Sequence, residues 1–147
     1  MSLFHLLSVS ASGMAAQRRR AEVLTENLAN AETTRTSEGG PYRRKDVVFE
    51  SGPAEGPFSS IFQSQLDGGP MVGVNIAEVR QDQREPEMRY IPGHPDADPQ
   101  GYVAFPNVNP AEEMVDLMSA TRGYQGNIAA MSAAKDMIQR TLDILRG

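Results

Sequence analysis

The chain of 147 residues contains no cysteine and no tryptophan, and it has only two histidines. Without cysteine it can form neither disulfides nor zinc–thiolate sites, and it has no thiol nucleophile. No apolar run approaches the ~18 residues that span a bilayer, so we expect no membrane insertion. The sequence has no P-loop, dinucleotide-binding glycine pattern or Ser-His-Asp set. These absences argue against an enzyme, and we expect no catalytic site and no cofactor.

Apolar side chains are also scarce, at 39% hydrophobic and 6% aromatic residues. This composition favours a small core, or a core that neighbouring molecules complete. The net charge is −5, and it is uneven: residues 1–50 carry +1 and residues 51–147 carry −6. An acidic chain without a broad basic patch is a poor ligand for nucleic acid, which we therefore exclude as a partner.

The N-terminus, MSLFHLLSVSASGMAA, superficially resembles a signal peptide. It lacks a basic segment before the apolar part, and its first positive charges come after that part, which is the wrong order. We therefore expect it to belong to the mature protein.

Two long helices are predicted, over residues 3–31 and 110–146. Steps of four and three residues through both regions meet mostly apolar side chains, which is the spacing of a coiled coil. Asn109 can cap the second helix, and Pro110 suits its first position. The predicted apolar seam of that helix consists of Met114, Leu117, Thr121, Tyr124, Ile128, Met131, Lys135, Ile138, Leu142 and Leu145.

The stretch between the helices holds most of the glycines and nearly all of the prolines. Short β-like runs occur in it at 47–50, 58–63, 71–79, 88–91 and 101–105. We therefore predict an α+β fold, in which long N- and C-terminal helices pack as an antiparallel coiled coil around a small, irregular antiparallel β insert. The predicted domains are a discontinuous helical domain, 1–33 plus 108–147, and a β-rich insert, 34–107.

One stretch, HPDADPQGYVAFPNVN at 94–109, resembles a metal site because a histidine and two aspartates alternate in it. A small metal-dependent hydrolase using His94, Asp96 and Asp98 is therefore an alternative. No further ligand cluster lies nearby, and such aspartates commonly bond to amides two residues on, forming turns. We predict no metal, and instead a hinge into the last helix formed by His94, Pro95, Asp96, Asp98, Gly101, Asn109 and Pro110.

Several segments resemble the flagellar rod, hook and hook-associated axial proteins. They are NLANAETT at 27–34, PYRRKDVVF at 41–49 and, most specifically, HPDADPQGYVAFPNVNPAEEMVDLMSATRGYQGN at 94–127. The resemblance covers about half of the chain and is closest to the proximal rod members. Gly126 departs from it, since the family usually has alanine there.

The resemblance implies a non-enzymatic subunit of the flagellar basal body, exported unfolded by the flagellar type III apparatus to a hollow periplasmic rod that transmits torque. The implied partners are further copies of the chain, the rod proteins FlgB, FlgF and FliE, and the ring protein FliF. A cytoplasmic helical adaptor or chaperone remains a further alternative. The residues that we expect to pack in the assembly are Leu24, Asn27, Leu28, Asn30, Met114, Leu117, Tyr124, Asn127, Ile128, Ile138 and Leu142.

Overall fold

The structure, a computed structural model, describes residues 3–53 and 72–146. Two long helices, α1 (Leu3–Ala29) and α2 (Pro110–Arg146), enclose four strands in chain order. The strands are β1 (Lys45–Pro53), β2 (Val72–Gln81), β3 (Glu87–Tyr90) and β4 (Tyr102–Phe105). The predicted α+β class, with long terminal helices and small antiparallel strands, is confirmed. The strand predicted at 58–63 lies outside the described residues.

Side-chain caps define the helix ends that lie nearest the strands. At the start of α2, Asn109 Oδ1 accepts a hydrogen bond from the Ala111 amide at 3.1 Å, which satisfies one of the free N–H groups of the first turn. At the end of α1, the Asn30 side chain donates to the Glu26 carbonyl at 2.9 Å. The Asn109 side chain therefore replaces a missing backbone partner at the start of α2, whereas the Asn30 side chain adds a second donor to a carbonyl that already accepts from the Asn30 amide.

The two helices pack side by side and antiparallel. Gly13 lies against Asn127, and Gln17 lies against Gly123, so rising numbers on α1 meet falling numbers on α2. Several of the most buried apolar residues of the helix pair are small: Ala16, Ala120 and Ala134 are 3%, 1% and 0% exposed. Small side chains let the two helix backbones approach closely. They also bury little apolar area, so this contact gains little hydrophobic stabilisation.

The predicted seam of α2 has the right period, but only part of it has the right phase: Leu117, Met131 and Ile138 are half-buried. The residues that face α1 are Glu113, Ala120, Asn127 and Ala134, each one position before a predicted residue. Predicted seam members such as Met114, Tyr124 and Leu142 are instead exposed. The reason is steric, because alanine and glycine allow the close approach that Met, Tyr and Leu would prevent.

The strands form two separate two-stranded antiparallel sheets. In the first, β1 pairs with β2 from Lys45↔Gln81 to Pro53↔Val72, with a bulge between Val48 and Phe49. This ribbon lies along α1, where the Ser12 hydroxyl accepts a hydrogen bond from the Val74 amide at 3.2 Å. Among the described elements, the strands of this ribbon pack on α1 and leave α2 uncovered on its outer side.

The second sheet pairs β3 with β4 and has one buried face. Val103 and Phe105 of β4 are 0% and 9% exposed, and the Arg89 guanidinium lies 4.8 Å from the centre of the Phe105 ring. On the other face, Tyr90 and Tyr102 meet edge to face, with ring centres 5.4 Å apart. This sheet directly precedes α2 in the chain.

Within the described residues, no helix is both long and apolar enough to cross a membrane.

Gly123 and Gly126 give a matched test of the helix packing. A Cβ atom at Gly126 would meet nothing within 4 Å, whereas one at Gly123 would lie 3.2 Å from Gln17 Cδ. We therefore expect Gly126→Ala to raise the free energy of unfolding by about 1 kcal/mol through helix propensity. Gly123→Ala should gain less, because the new methyl group must displace Gln17. Urea unfolding followed by circular dichroism measures both, and equal gains would contradict the close packing at Gly123.

Candidate functional site: a polar junction and an apolar helix face

A fully buried asparagine joins three separate parts of the chain. The Asn27 amide nitrogen donates to the Lys45 carbonyl at 2.8 Å and to Glu113 Oε2 at 3.0 Å. Its oxygen accepts from the Tyr42 hydroxyl and from the Lys45 amide, both at 2.9 Å. Asn27 thus uses both donors and both acceptor positions, and it fixes the end of α1 to the start of β1 and the first turn of α2.

Glu113 is 1% exposed, and Arg44 balances its charge. Arg44 Nε donates to Glu113 Oε1, while Oε2 accepts the bond from Asn27. Burial lowers the pKa of the Arg44 guanidinium, but the hydrogen bond and the charge of Glu113 more than offset this, and the pKa lies above its ordinary value. The buried carboxylate is therefore both paired and hydrogen-bonded, as a charge in such a position requires.

Tyr42, which precedes β1, contacts Asn27 from the side of the β insert. Burial, followed by the negative charges of Glu26 and Glu113, raises the pKa of Tyr42 to about 12. The hydroxyl therefore stays protonated and donates to Asn27 over the whole neutral range. We call Asn27, Tyr42, Arg44, Lys45 and Glu113 the polar junction.

The hinge residues form a series of turns rather than a cluster of ligands. Asp98 Oδ1 accepts from the amides of Gln100 and Tyr102, each at 2.8 Å, and His94 Nδ1 accepts from the Asp96 amide at 3.1 Å. Across the described residues, no group of three His, Cys, Asp or Glu side chains could hold a metal ion. These contacts support the interpretation of the stretch as a turn.

Asp96 differs from the expectation that it would bond to an amide two residues on. Its carboxylate accepts a hydrogen bond from the Thr34 hydroxyl at 2.8 Å and lies 3.7 Å from the Arg35 guanidinium. Asp96 therefore ties the hinge to the segment that follows α1. Sequence spacing could not reveal this contact, because its partners lie about 60 residues away.

The remaining hinge residues lie at the two ends of the turns. Gly101 has φ +84°, and a Cβ atom there would lie 2.9 Å from the Tyr90 ring, so both the backbone and the ring exclude a side chain. Pro95 is exposed within the turns. Pro110 is the first residue of α2, directly after the Asn109 cap.

The expected packing residues fall into two groups. Those enclosed at least partly within the chain are Leu24, Asn27, Leu28, Asn30, Leu117, Asn127 and Ile138, of which Leu24 and Asn27 are fully buried. The others are exposed, and with Met118 they form the exposed stripe of α2: Met114, Met118, Tyr124, Ile128 and Leu142. At 3.6 residues per turn these five side chains fall within an arc of about 120°, so they share one broad side of the helix.

Sequence reasoning missed most of the polar junction. Tyr42, Arg44 and Glu113 were not singled out, although Glu113 stands seven residues before Ala120 and fourteen before Asn127, in the heptad that faces α1. This heptad spacing was the sequence pattern from which the position of Glu113 could have been predicted. It indicates that the Glu113 carboxylate is buried and paired with a cation, rather than exposed to solvent in the first turn.

Comparison with known proteins identifies the class to which this arrangement belongs. A family model described as flagella basal body rod protein matches residues 7–35, which cover most of α1. A second, described as flagellar basal body rod FlgEFG protein C-terminal, matches residues 100–144, which cover β4 and α2. Both matched segments contribute to the polar junction and to the helix pair.

Relatives extend the match over the whole chain. The flagellar basal-body rod protein FlgC of Bacillus subtilis is 45% identical over 98% of this chain and 99% of its own length. The FlgC proteins of Borreliella burgdorferi and Salmonella typhimurium are 41% and 40% identical, over 100% and 98% of both chains. The chain belongs to the FlgC family of flagellar basal-body rod proteins.

It is accordingly a structural rod subunit of the flagellar basal body, not an enzyme, and it assembles there with other rod components. The hydrolase and adaptor alternatives are thereby set aside.

Glu113→Gln tests the buried ion pair of the polar junction. The substitution keeps the shape of the side chain but leaves Arg44 without its counter-charge, so we expect a loss of about 3 kcal/mol in the free energy of unfolding. Glu112→Gln is the matched control, because Glu112 is exposed and should change stability by no more than about 0.5 kcal/mol. Similar urea midpoints for the two variants would show that the buried pair contributes nothing.

The raised pKa of Tyr42 gives a pH-dependent prediction. Below pH 10 the hydroxyl is protonated in both the folded and the unfolded chain, so its stabilising contribution is complete. Between pH 10 and 12 it ionises in the unfolded chain first, so this contribution falls as the pH rises. We expect the stability difference between the parent protein and Tyr42→Phe to shrink across this window in urea titrations. A constant difference would contradict the raised pKa.

Proposed function

We propose that this chain is a proximal rod subunit whose two helices form an antiparallel coiled coil in the inner, channel-side layer of the rod. The exposed stripe of α2 carries the proposal. Met114, Ile128 and Leu142 are 54%, 43% and 52% exposed, although they lie on one helix face. Helix faces of this kind are normally covered by another surface, and neighbouring subunits would cover this one.

The arrangement of the insert supports this division of the chain. The β1–β2 ribbon packs on α1, so among the described elements no strand covers the exposed stripe. We propose that residues 1–33 and 108–147 act as the inner helical domain and that residues 34–107 lie on the outside. The polar junction and the hinge, His94–Asp98 with Gly101, Asn109 and Pro110, would hold the two domains at a fixed angle.

The interior of the helix pair supports a subunit that completes its burial only on assembly. Its contacts are dominated by alanine, glycine and polar residues, and Gln17 Oε1 is buried without a hydrogen-bond partner among the described residues. Such a pair is held weakly, because helices gain most of their stability from apolar packing. The packing residues that we propose to act in the rod are Leu24, Asn27, Leu28, Asn30, Met114, Leu117, Tyr124, Asn127, Ile128, Ile138 and Leu142.

The setting of the subunit follows from the same proposal. A weakly held helix pair without cysteine suits export in an unfolded form through the flagellar type III apparatus to the periplasm. There the chain would polymerise with its own copies and with FlgB, FlgF and FliE, near the ring protein FliF. The product would be a hollow shaft that surrounds the export channel and transmits torque.

Ile128→Asp tests the exposed stripe. Because Ile128 is already exposed, the substitution should alter monomer stability by no more than about 0.5 kcal/mol. It should nevertheless abolish rod assembly and swimming, since a charge would be buried between subunits. The readouts are swimming in soft agar and the content of the subunit in purified basal bodies.

Ser119→Asp is the matched control. It adds the same charge at an exposed position on the opposite side of α2, and it should assemble normally. Normal basal bodies containing the Ile128→Asp protein would refute the role of the stripe.

A further inference from the structure

A second exposed apolar surface lies on the β1–β2 ribbon, apart from the exposed stripe of α2. Phe49, Val72, Val74 and Ile76 are 37%, 54%, 36% and 38% exposed. Phe49 pairs with Ile76 across the ribbon, and Val74 and Val72 follow Ile76 at steps of two residues, so all four side chains share one face. We call these four residues the ribbon face.

The other face of the ribbon is the one turned toward the rest of the molecule. Gly73 is buried and Asn75 is half-buried, whereas Val72 and Val74, which alternate with them, are exposed. Side chains on successive residues of a strand point to opposite faces. The ribbon face therefore points to solvent and is left exposed among the described residues.

The ribbon face and the exposed stripe lie at the same height on different sides of the helix pair. The Val74 amide bonds to Ser12 of α1, whose neighbour Gly13 lies against Asn127 of α2. Val74 is therefore level with Ile128 of the stripe. Among the described elements, the ribbon packs on α1 and not on α2, so α1 separates the two surfaces within one molecule.

The ribbon also runs parallel to the helices, so the heights can be compared along its length. Its far end lies beside Asn27, because Gln81 pairs with Lys45 and the Lys45 amide bonds to Asn27. The seven residues from Val74 to Gln81 and the fifteen from Ser12 to Asn27 each span about 23 Å. Ile76 is accordingly level with about residue 124 of α2, and Glu78 with about residue 119.

The ribbon is acidic where it carries the ribbon face. Glu50 and Glu78 are the only charged residues in the ranges 47–53 and 72–79. Glu78 follows Ile76 by two residues, so it lies on the same face, at the border of the apolar patch. It forms no ion pair with the described residues.

The facing part of α2 carries the opposite charge. Arg122 is the only charged residue in the range 117–134, and the next two, Lys135 and Asp136, balance each other. Arg122 borders the exposed stripe, about one turn after Met118, and it has no ion pair within the described part of the chain. The unpaired Glu78 and Arg122 thus stand within one helical turn of the same height, each beside an exposed apolar surface.

We infer that the ribbon face of one copy of this chain covers the exposed stripe of α2 in a neighbouring copy. Val74 of one copy lies against Ile128 of the next, and Glu78 binds Arg122. The apolar contact supplies burial, while the ion pair fixes the alignment of the two copies. Because the contact joins two different surfaces, it repeats from copy to copy in an open-ended assembly. The inference rests on the proposed function, since it names what covers the stripe.

Cysteine pairs test the contact directly, because the chain has no native cysteine. In basal bodies containing Val74→Cys/Ile128→Cys, oxidation should give a ladder of cross-linked dimers and larger species. Val74→Cys/Gly126→Cys is the matched control, since residue 126 is exposed at nearly the same height on another side of α2. The control should cross-link about tenfold less, because a disulfide requires closely placed Cβ atoms. Equal cross-linking of the two pairs, or none in either, overturns the inference.

A charge exchange tests the ion pair. Glu78→Arg and Arg122→Glu should each reduce swimming, and the two together should restore it. Both positions are exposed, and circular dichroism of the purified variants checks that they fold. Glu50→Arg is the control, because Glu50 pairs with Asn75 on the other face of the ribbon, and adding it to Arg122→Glu should not restore swimming. Failure of the Glu78 exchange in folded variants refutes the pairing.

Val74→Asp separates this inference from the stripe proposal. If the ribbon face covers the stripe, Val74→Asp and Ile128→Asp should both fold and both be missing from basal bodies. Normal assembly of Val74→Asp, with Ile128→Asp still excluded, overturns the inference and leaves the stripe proposal standing. Normal assembly of Ile128→Asp refutes both.

A photo-activated cross-linker at position 74 identifies the occupant of the ribbon face. Capture of α2 from another copy supports the inference. Capture of a different basal-body protein, or of another part of the same chain, overturns it.

Discussion

The hydrogen bonds of the buried Asn27 side chain are the contacts on which the arrangement of this molecule depends. Its partners come from two other parts of the chain, the segment Tyr42–Lys45 and the first turn of α2, and the bonds to Tyr42 and Glu113 are buried, so losing either of these two leaves a polar group without water or protein to satisfy it. Glu113 extends the constraint, because its charge must stay beside Arg44. The two helices and the start of the β insert can therefore meet in only one way.

This junction allows the rest of the helix pair to be weak. Farther along the pair, alanine and glycine dominate the contact, and several large apolar side chains of α2, among them Met114 and Leu142, are exposed. A self-sufficient domain would do the reverse and bury its largest side chains. This distribution agrees with our proposal that neighbouring rod subunits cover the exposed apolar side chains and so add to the stability of the chain.

The turns from His94 to Gly101 perform a related task at the base of α2. Histidine and aspartate side chains bond to nearby amides, and Asp96 reaches across to Thr34. Of the three groups that suggested a metal site, His94 and Asp98 therefore serve as acceptors for backbone amides in a segment without regular structure, and Asp96 links that segment to the chain after α1. They hold the second sheet against the segment that follows α1, directly before the chain enters its longest helix.

The sequence by itself determined the two helices, the cap at Asn109 and the positions of the four described strands, because these depend on local conformational preferences and periodicity. It also determined the family, through its sequence motifs. The heptad period was also readable, but its phase was only partly so. Hydrophobicity placed Met114 and Ile128 on the helix seam, whereas the tertiary structure turns Glu113 and Ala120 inward in their place. Only the tertiary structure could decide this, because the choice depends on how closely two backbones approach and on which charge lies opposite. Neither is encoded in one helix alone.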